Sequence, residues 1–227
     1  MNVVITGTSK GIGKASALRF MREGHNVIGI DIAQSSIKIN SSKSGHYTHF
    51  IADVSNQNSL PQIDDVEILV NNAGVQSGTE RDIQVNLLAS VYVTEKYAFQ
   101  RSIKSVLFNC SASALTGNEF ALYVASKAGA VGYMKHAAIR LANEYKATCN
   151  ALCFGGVLTD LNKPVIEDSA LWNKIMDVTP LKRWATAEQA AEWIYFMTAV
   201  NTFCTGQAIE ISGGERNCAD LFVWRGN

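Results

Sequence analysis

Val3-Val4-Ile5-Thr6-Gly7-Thr8-Ser9-Lys10-Gly11-Ile12-Gly13 is the stretch whose reading decides the fold. Val3–Ile5 is a short β-branched run and reads as a strand. A glycine-rich turn follows, and a segment of helical period, Ile12–Arg22, ends at Gly24, a residue suited to the position just past a helix. Glycines at a strand-to-helix turn permit a tight reversal and let the backbone approach a pyrophosphate, which rests on the positive end of the helix. Gly7, Ser9, Lys10, Gly11, Ile12 and Gly13 are therefore the expected phosphate cradle of a dinucleotide.

Working outward, Asp31 ends the second strand, Val27–Ile30, about twenty residues beyond the turn. A carboxylate there accepts hydrogen bonds from an adenosine ribose and repels a 2′-phosphate. The expectation is NAD rather than NADP, with Ile32 on the same lip of the site. Lys10 argues the other way, because a cation beside the turn attracts a 2′-phosphate; Asp31 stands nearer the discriminating oxygen and decides the expectation.

Short apolar runs and helix-period segments alternate along the rest of the chain. Strands are expected at Tyr47–Ile51, Ile68–Val70, Ser105–Asn109, Thr148–Cys153 and Ala208–Ile211, and helices at Glu80–Arg101, Ala121–Tyr145 and Ala187–Ala199. Only Ser55–Pro61 is available as a helix between the third and fourth strands, and Gln34–Gly45 reads as a surface loop. The pattern predicts an α/β fold: a Rossmann-type, doubly wound parallel sheet of about seven strands with helices on both faces, in a single domain over 1–227.

Composition narrows the function classes. Lys+Arg and Asp+Glu are equal at 20 each in 227 residues, which favours neither nucleic acid nor an anionic membrane as partner. No apolar run approaches the ~20 residues needed to cross a bilayer. The first seven residues lack the basic stretch and long apolar core of a secretion signal. Five cysteines include no C-x-x-C pair and lie mostly in apolar runs, as reduced, buried thiols do. A cytoplasmic protein is expected. His46 and His49 have no companion ligands, so no metal is expected.

Within Leu122-Tyr123-Val124-Ala125-Ser126-Lys127-Ala128, Tyr123 and Lys127 are one helical turn apart and leave the same face. A phenol titrates near ~10, and an adjacent ammonium favours the phenolate, which moves an acid/base toward the working pH. The same spacing is common on solvated helices, so the pair needs its context.

That context resembles the short-chain dehydrogenase/reductase family, in its compact single-domain branch, from Val3 to Gly214. The motifs stand in the family's order: Thr6–Gly13, Asp53-Val54, Asn71-Asn72-Ala73-Gly74, Tyr123-x-x-x-Lys127, and Asn150 leading into Gly155-Gly156-Val157-Leu158-Thr159. Pro180–Arg183, Thr205-Gly206-Gln207 and Ser212-Gly213-Gly214 also match. The resemblance implies that Asp53 and Val54 border the adenine and that Asn72, Ala73 and Gly74 line the cofactor. Val157 and Thr159 would hold the nicotinamide carboxamide. It implies Tyr123 as general acid/base, Lys127 lowering its pKa and binding the nicotinamide ribose, a serine of Ser111-Ala112-Ser113 on the substrate oxygen, and Asn86 anchoring a relay water. A homodimer or homotetramer is implied, with the apolar tail Leu221–Trp224 at its interface.

The chain departs from the pattern in places. The register of the usual serine falls on Cys110; a one-residue deletion in the loop Ala114–Ala121 restores Ser111, which also follows the strand-end Asn-x-Ser pattern, and the alternatives are Ser113 and Cys110 itself. Phe154 stands where proline is common and either narrows the substrate pocket or is ordinary packing. Only eleven residues separate Gly74 from Asn86, and the helix after Asp53 is nearly absent. Residues 160–179 would form the substrate lid, with Leu161, Val165, Ile166, Leu171, Trp172, Ile175 and Met176 on one apolar face. Trp184, Trp193 and Trp224 read as packing or interface groups. The function implied is NAD-dependent interconversion of a secondary alcohol and a ketone on a small molecule. The alternatives are an NADP-dependent carbonyl reductase of the 3-oxoacyl type, a dehydratase or enoyl reductase on the same scaffold, or a non-catalytic dinucleotide sensor.

Overall fold

A computed structural model describes residues 1–37 and 45–215. Part of the expected loop at 34–45, together with Cys218 and the Leu221–Trp224 tail, lies outside the described residues.

The chain runs β1 (Asn2–Thr6), α1 (Gly11–Arg22), β2 (Asn26–Asp31), β3 (Tyr47–Ile51) and β4 (Ile68–Asn71). Next come α2 (Glu80–Asp82), a π-helical turn over Ile83–Leu88, α3 (Ala89–Tyr97), β5 (Ser105–Ser111), α4 (Ser113–Thr116) and α5 (Ala121–Arg140). The last part holds β6 (Thr148–Phe154), β7 (Val157–Leu158), α6 (Lys163–Ile166), α7 (Ser169–Val178), β8 (Ala185–Thr186), α8 (Ala187–Tyr195) and β9 (Ala208–Ile211).

Seven strands form one sheet in the order β3-β2-β1-β4-β5-β6-β9, every neighbouring pair parallel. The order reverses direction between β1 and β4, and a cleft opens there at the carboxyl ends of the strands. Alternation along each strand divides the core into two layers. Val3, Ile5, Ile68 and Val70 face α1 and α8, packing on Phe20, Ala190 and Ile194. Val4, Leu69, Val106 and Phe108 face the other way, onto Val93, Tyr97, Met134 and Leu141. Strands covered on both faces must be apolar throughout, and all seven residues of β6 are buried.

The helix ends have local causes. After α1, Gly24 takes φ +78° and its amide donates to the Met21 carbonyl at 2.9 Å, the left-handed stop foreseen for it. Helix α8 begins with a capping box between Thr186 and Gln189. The expected helix Glu80–Arg101 stops at Tyr97, because the residues beyond it turn to bridge other segments. Gln100 accepts from the Val66 amide at 3.2 Å and donates to the Ile63 carbonyl at 3.0 Å. The Ser55–Pro61 helix shrinks to one 3-10 turn, Gln57–Ser59.

A second, two-stranded parallel sheet pairs β7 with β8. It clamps the two ends of the excursion that carries α6 and α7, so the segment at 160–179 stands on a fixed stem beside the cleft. Among the described residues, no helix is long and apolar enough to cross a membrane.

Candidate active site

The cleft at the strand reversal is a cavity of about 1130 Å³ lined by residues from both ends of the chain. It meets the glycine turn, the ends of β2, β3, β4 and β5, the start of α5 and the 160–179 segment. The turn fits a dinucleotide on three counts. A Cβ on Gly13 would lie 2.0 Å from the Gly7 carbonyl oxygen, so the turn closes only with glycine there. Helix α1 has no side-chain cap and no acidic residue in its first turn, which leaves its amides and dipole open to an anion. Gly7, Ser9, Lys10, Gly11, Ile12 and Gly13 all line the cavity.

Asp31 sits at the lip of this cradle. Its two carboxylate oxygens accept from the Ser9 amide and the Ala33 amide, each at 2.9 Å. Ile32 beside it is exposed and lines the cavity. Lys10 lends its charge to Asp160 across the cleft; that carboxyl is held below its ordinary range chiefly by Lys163, with Lys10 adding to it.

At the end of β3, Ala52, Asp53 and Val54 meet Ala73, Arg81 and Val85 in the same cavity. Asp53 accepts from the Ser55 amide at 2.9 Å and hydroxyl at 2.7 Å, and from Arg81 at 2.9 Å. Burial alone raises this carboxyl; the Ser55 and Arg81 hydrogen bonds outweigh it and hold the pKa low.

Asn72 staples β4 to the turn, its amide donating to the carbonyls of Thr6 at 2.8 Å and Gly7 at 3.1 Å. Asn109 donates to the Asn72 side chain at 2.7 Å, and Lys127 donates to the Asn109 carbonyl at 3.0 Å. One chain of hydrogen bonds therefore runs from Lys127 to the phosphate cradle. A Cβ on Gly74 would stand 3.4 Å from the Lys127 ammonium, so the two groups adjoin.

β5 extends to Ser111, one residue past an inward-facing Cys110. Ser111 lines the cavity with Tyr123, and its hydroxyl accepts from the Ser113 hydroxyl at 2.9 Å. Cys110 lies in register with Cys153 on β6; its thiol is held low by the hydrogen bond with Cys153 and, against the cost of burial, by the Lys127 charge.

Burial raises the Tyr123 phenol. The Ser111 hydroxyl pulls it back, and the charges of Glu119, Cys110 and Asp82 push it up again. The Lys127 ammonium donates to the Asn109 carbonyl and stands 5.8 Å from the centre of the Tyr123 ring. Burial also lowers the Lys127 ammonium itself. Asn86 uses its side-chain amide on the protein, accepting from the Val75 amide and donating to its carbonyl, both at 2.8 Å, and donating to Ser126 at 3.1 Å. It locks the loop after Gly74 to α5.

Phe154 is buried in the core and also lines the cavity. Leu161, Val165, Leu171 and Ile175 of the 160–179 segment line the cavity. Val157 is buried and Thr159 faces Gly11 across the cleft. Trp184 packs on Gly156, where any Cβ would overlap its ring, and edge-on to Trp172.

Several cavity residues escaped the sequence reading. Arg81 lies in no motif, and Asn109 figures only as the first residue of the Asn-x-Ser pattern. Asp82 is fully buried and accepts from the Ser77 and Gly78 amides, both at 2.8 Å, which shapes the loop before α2. Glu119 takes φ +95° at the mouth, and burial and the Glu215 charge raise its carboxyl. Among the described residues no group of three or more His, Cys, Asp and Glu side chains is placed to hold a metal.

Comparison with known proteins bears on this geometry. A model of the short chain dehydrogenase family matches residues 1–170. The 3-oxoacyl-[acyl-carrier-protein] reductase FabG of Buchnera aphidicola subsp. Acyrthosiphon pisum is 28% identical over 235 residues, covering 92% of this chain and 95% of that protein. Among solved structures, 4-hydroxyisoleucine dehydrogenase complexed with NADH is 25% identical with a TM-score of 0.83, covering 94% of this chain and 98% of that one. A putative 2-deoxy-d-gluconate 3-dehydrogenase from Agrobacterium tumefaciens with bound NADP is 23% identical with a TM-score of 0.85, covering 94% and 95%.

Proposed function

The chain belongs to the short-chain dehydrogenase family, an oxidoreductase family acting on alcohol and carbonyl groups with a nicotinamide dinucleotide, and on that premise we propose that it interconverts a secondary alcohol and a ketone with NAD. The observation that carries the proposal is that Tyr123, Ser111 and Lys127 line one cavity together with the glycine turn.

When bound, the nicotinamide supplies or accepts the hydride. Gly7, Ser9, Lys10, Gly11, Ile12 and Gly13 hold the pyrophosphate, Asp31 and Ile32 the adenosine ribose, and Asp53, Val54, Asn72, Ala73 and Gly74 the adenine side. Val157 and Thr159 hold the carboxamide. Tyr123 gives its phenolic proton to the substrate oxygen as the ketone is reduced, and takes it back in the reverse direction. The Ser111 hydroxyl, oriented by Ser113, stabilises charge developing on that oxygen. Lys127, kept dry by burial, offers its ammonium toward the nicotinamide ribose and toward the phenolate that forms. Phe154 and the 160–179 lid exclude water from the reacting atoms.

Asp31 supports NAD, since a 2′-phosphate would face its carboxylate. A second reading, an NADP-dependent reductase of 3-oxoacyl substrates, is favoured by the names of relatives such as the Buchnera enzyme and by the NADP bound in the Agrobacterium structure. Fluorescence titration with NADH and NADPH, followed by a screen of secondary alcohols, ketones and 3-oxoacyl thioesters, separates the two. Tighter NADH binding with alcohol oxidation supports the first reading; tighter NADPH binding with thioester reduction supports the second. Binding without any turnover would leave a dinucleotide sensor. A homo-oligomer belongs to the same proposal, supported by the exposed Ile139 on α5; a monomer by light scattering would remove it.

A further inference from the structure

Arg81 holds a position that no motif accounts for. It stands in the short connection between Gly74 and Asn86, on the first turn of α2, and lines the far end of the cavity beside Val85, four residues on. Its guanidinium donates to Asp53 at 2.9 Å and to the Ser55 hydroxyl at 3.0 Å. The arm thus spans from α2 to the segment after β3, across the slot formed by Ala52, Val54, Ala73 and Val85. Both members of the Arg81–Asp53 pair are about 40% exposed, at 42% and 38%. Such a pair adds little to folding stability, so its position matters more than its energy.

The donors on Asp53 sharpen the point. One carboxylate oxygen is taken by the Ser55 amide and hydroxyl, and the other by Arg81. A carboxylate so engaged is a fixed anchor for the cation. A guanidinium held edge-on by two hydrogen bonds keeps its flat face free, and that face stacks well on a purine. The slot has apolar walls for a ring and lies at the same end of the cavity as Asp31.

We propose that Arg81, fixed by Asp53 and Ser55, forms the outer wall of the adenine pocket and binds the adenine ring through its guanidinium face. Asp53 then acts as a positioning residue for Arg81. The inference rests on the dinucleotide reading of the cavity and adds to it a residue that recognises the adenine half alone.

Calorimetric titration of the full chain with ADP and, separately, with nicotinamide mononucleotide tests this. Arg81→Met keeps the length and apolar stem but removes the cation, and Arg81→Lys keeps the charge but loses the planar fork. The expected result is ADP affinity weakened about 3- to 30-fold in R81M, an intermediate loss in R81K, and unchanged affinity for the mononucleotide in both. ADP binding in R81M as tight as in the parent, or tighter, overturns the proposal, the latter by making Arg81 a barrier to the slot. Equal loss for both ligands also overturns it, because the effect is then not confined to the adenine half. A parent protein that binds no ADP takes down the dinucleotide reading itself, and the inference with it.

Discussion

The Tyr123 phenol on helix α5 and the Ser111 hydroxyl at the last residue of β5 line the same cavity, and Ser111 pulls the phenol's pKa down against burial. In the proposed mechanism Ser111 is the side chain of β5 that serves the reacting oxygen. Ser111→Ala should lower kcat by about 10²- to 10³-fold, the usual effect of removing one donor from developing charge on oxygen. Ser113→Ala should cost less, since the Ser113 hydroxyl is spent on orienting Ser111 at 2.9 Å. Cys110→Ser should cost least of the three. Steady-state kinetics of the three variants checks the order; a larger loss in C110S than in S111A would return the role to the residue at 110.

That assignment shows what could be read from the chain and what could not. The glycine turn, Asp31 and the Tyr123–Lys127 pair are local patterns whose meaning follows from a strand ending and a helix beginning. The seven-strand parallel sheet followed from apolar runs spaced by helical segments. The serine register reads as Ser111 from the Asn-x-Ser pattern, but the choice against Ser113 and Cys110 depends on where β5 ends and which face each residue takes. Arg81 was invisible for a related reason: it acts through partners distant in sequence. The β7–β8 pair, two residues on each side, is too short to carry any periodic signal. The Glu80–Arg101 helix was overextended because its apolar period continues past Tyr97, while Gln100 is drawn away by Val66 and Ile63.

Asp31 controls the choice of dinucleotide in this account. Asp31→Ser removes the repulsion toward a 2′-phosphate and should raise the affinity for NADPH relative to NADH by roughly tenfold or more. The shift should shrink at high salt, where charge interactions are screened. Titration of parent and variant with both dinucleotides at two ionic strengths measures it; an unchanged ratio would move the discrimination away from Asp31.

Gly13 tolerates no side chain. In Gly13→Ala the new methyl meets the Gly7 carbonyl, and the turn must open to relieve the clash at a cost on the order of 1–3 kcal/mol. Dinucleotide binding should fall with it. Thermal unfolding together with NADH titration reads both effects, and a variant that binds NADH as the parent does would show the cradle to be less rigid than described.

Glu67 ties β1 to Lys104, the residue before β5, and responds to acid. It accepts from the Asn2 amide at 2.8 Å and from Lys104 at 2.7 Å. Burial raises its carboxyl, but the bonds to Lys104 and Asn2 outweigh burial and hold the folded pKa low. A carboxyl lowered on folding stabilises the protein fully above its unfolded value, near ~4.3, and that contribution disappears as pH falls through the folded value. Glu67→Gln should therefore lower Tm at pH 7, by roughly 2–4 °C per kcal/mol lost. Below pH ~4 the two melting curves should converge. A Tm difference that persists undiminished into acid would assign the effect to packing.

The central claim is that Tyr123 moves the proton while the rest of the cavity binds the dinucleotide. Tyr123→Phe removes one oxygen from a side chain that is already buried, so the fold and the cradle should stand. The measurement that decides is NADH affinity and turnover in this variant, side by side with the parent, on whichever alcohol or ketone the parent accepts. The account predicts unchanged NADH binding with turnover lost. Turnover retained, or binding and turnover lost together, would contradict it.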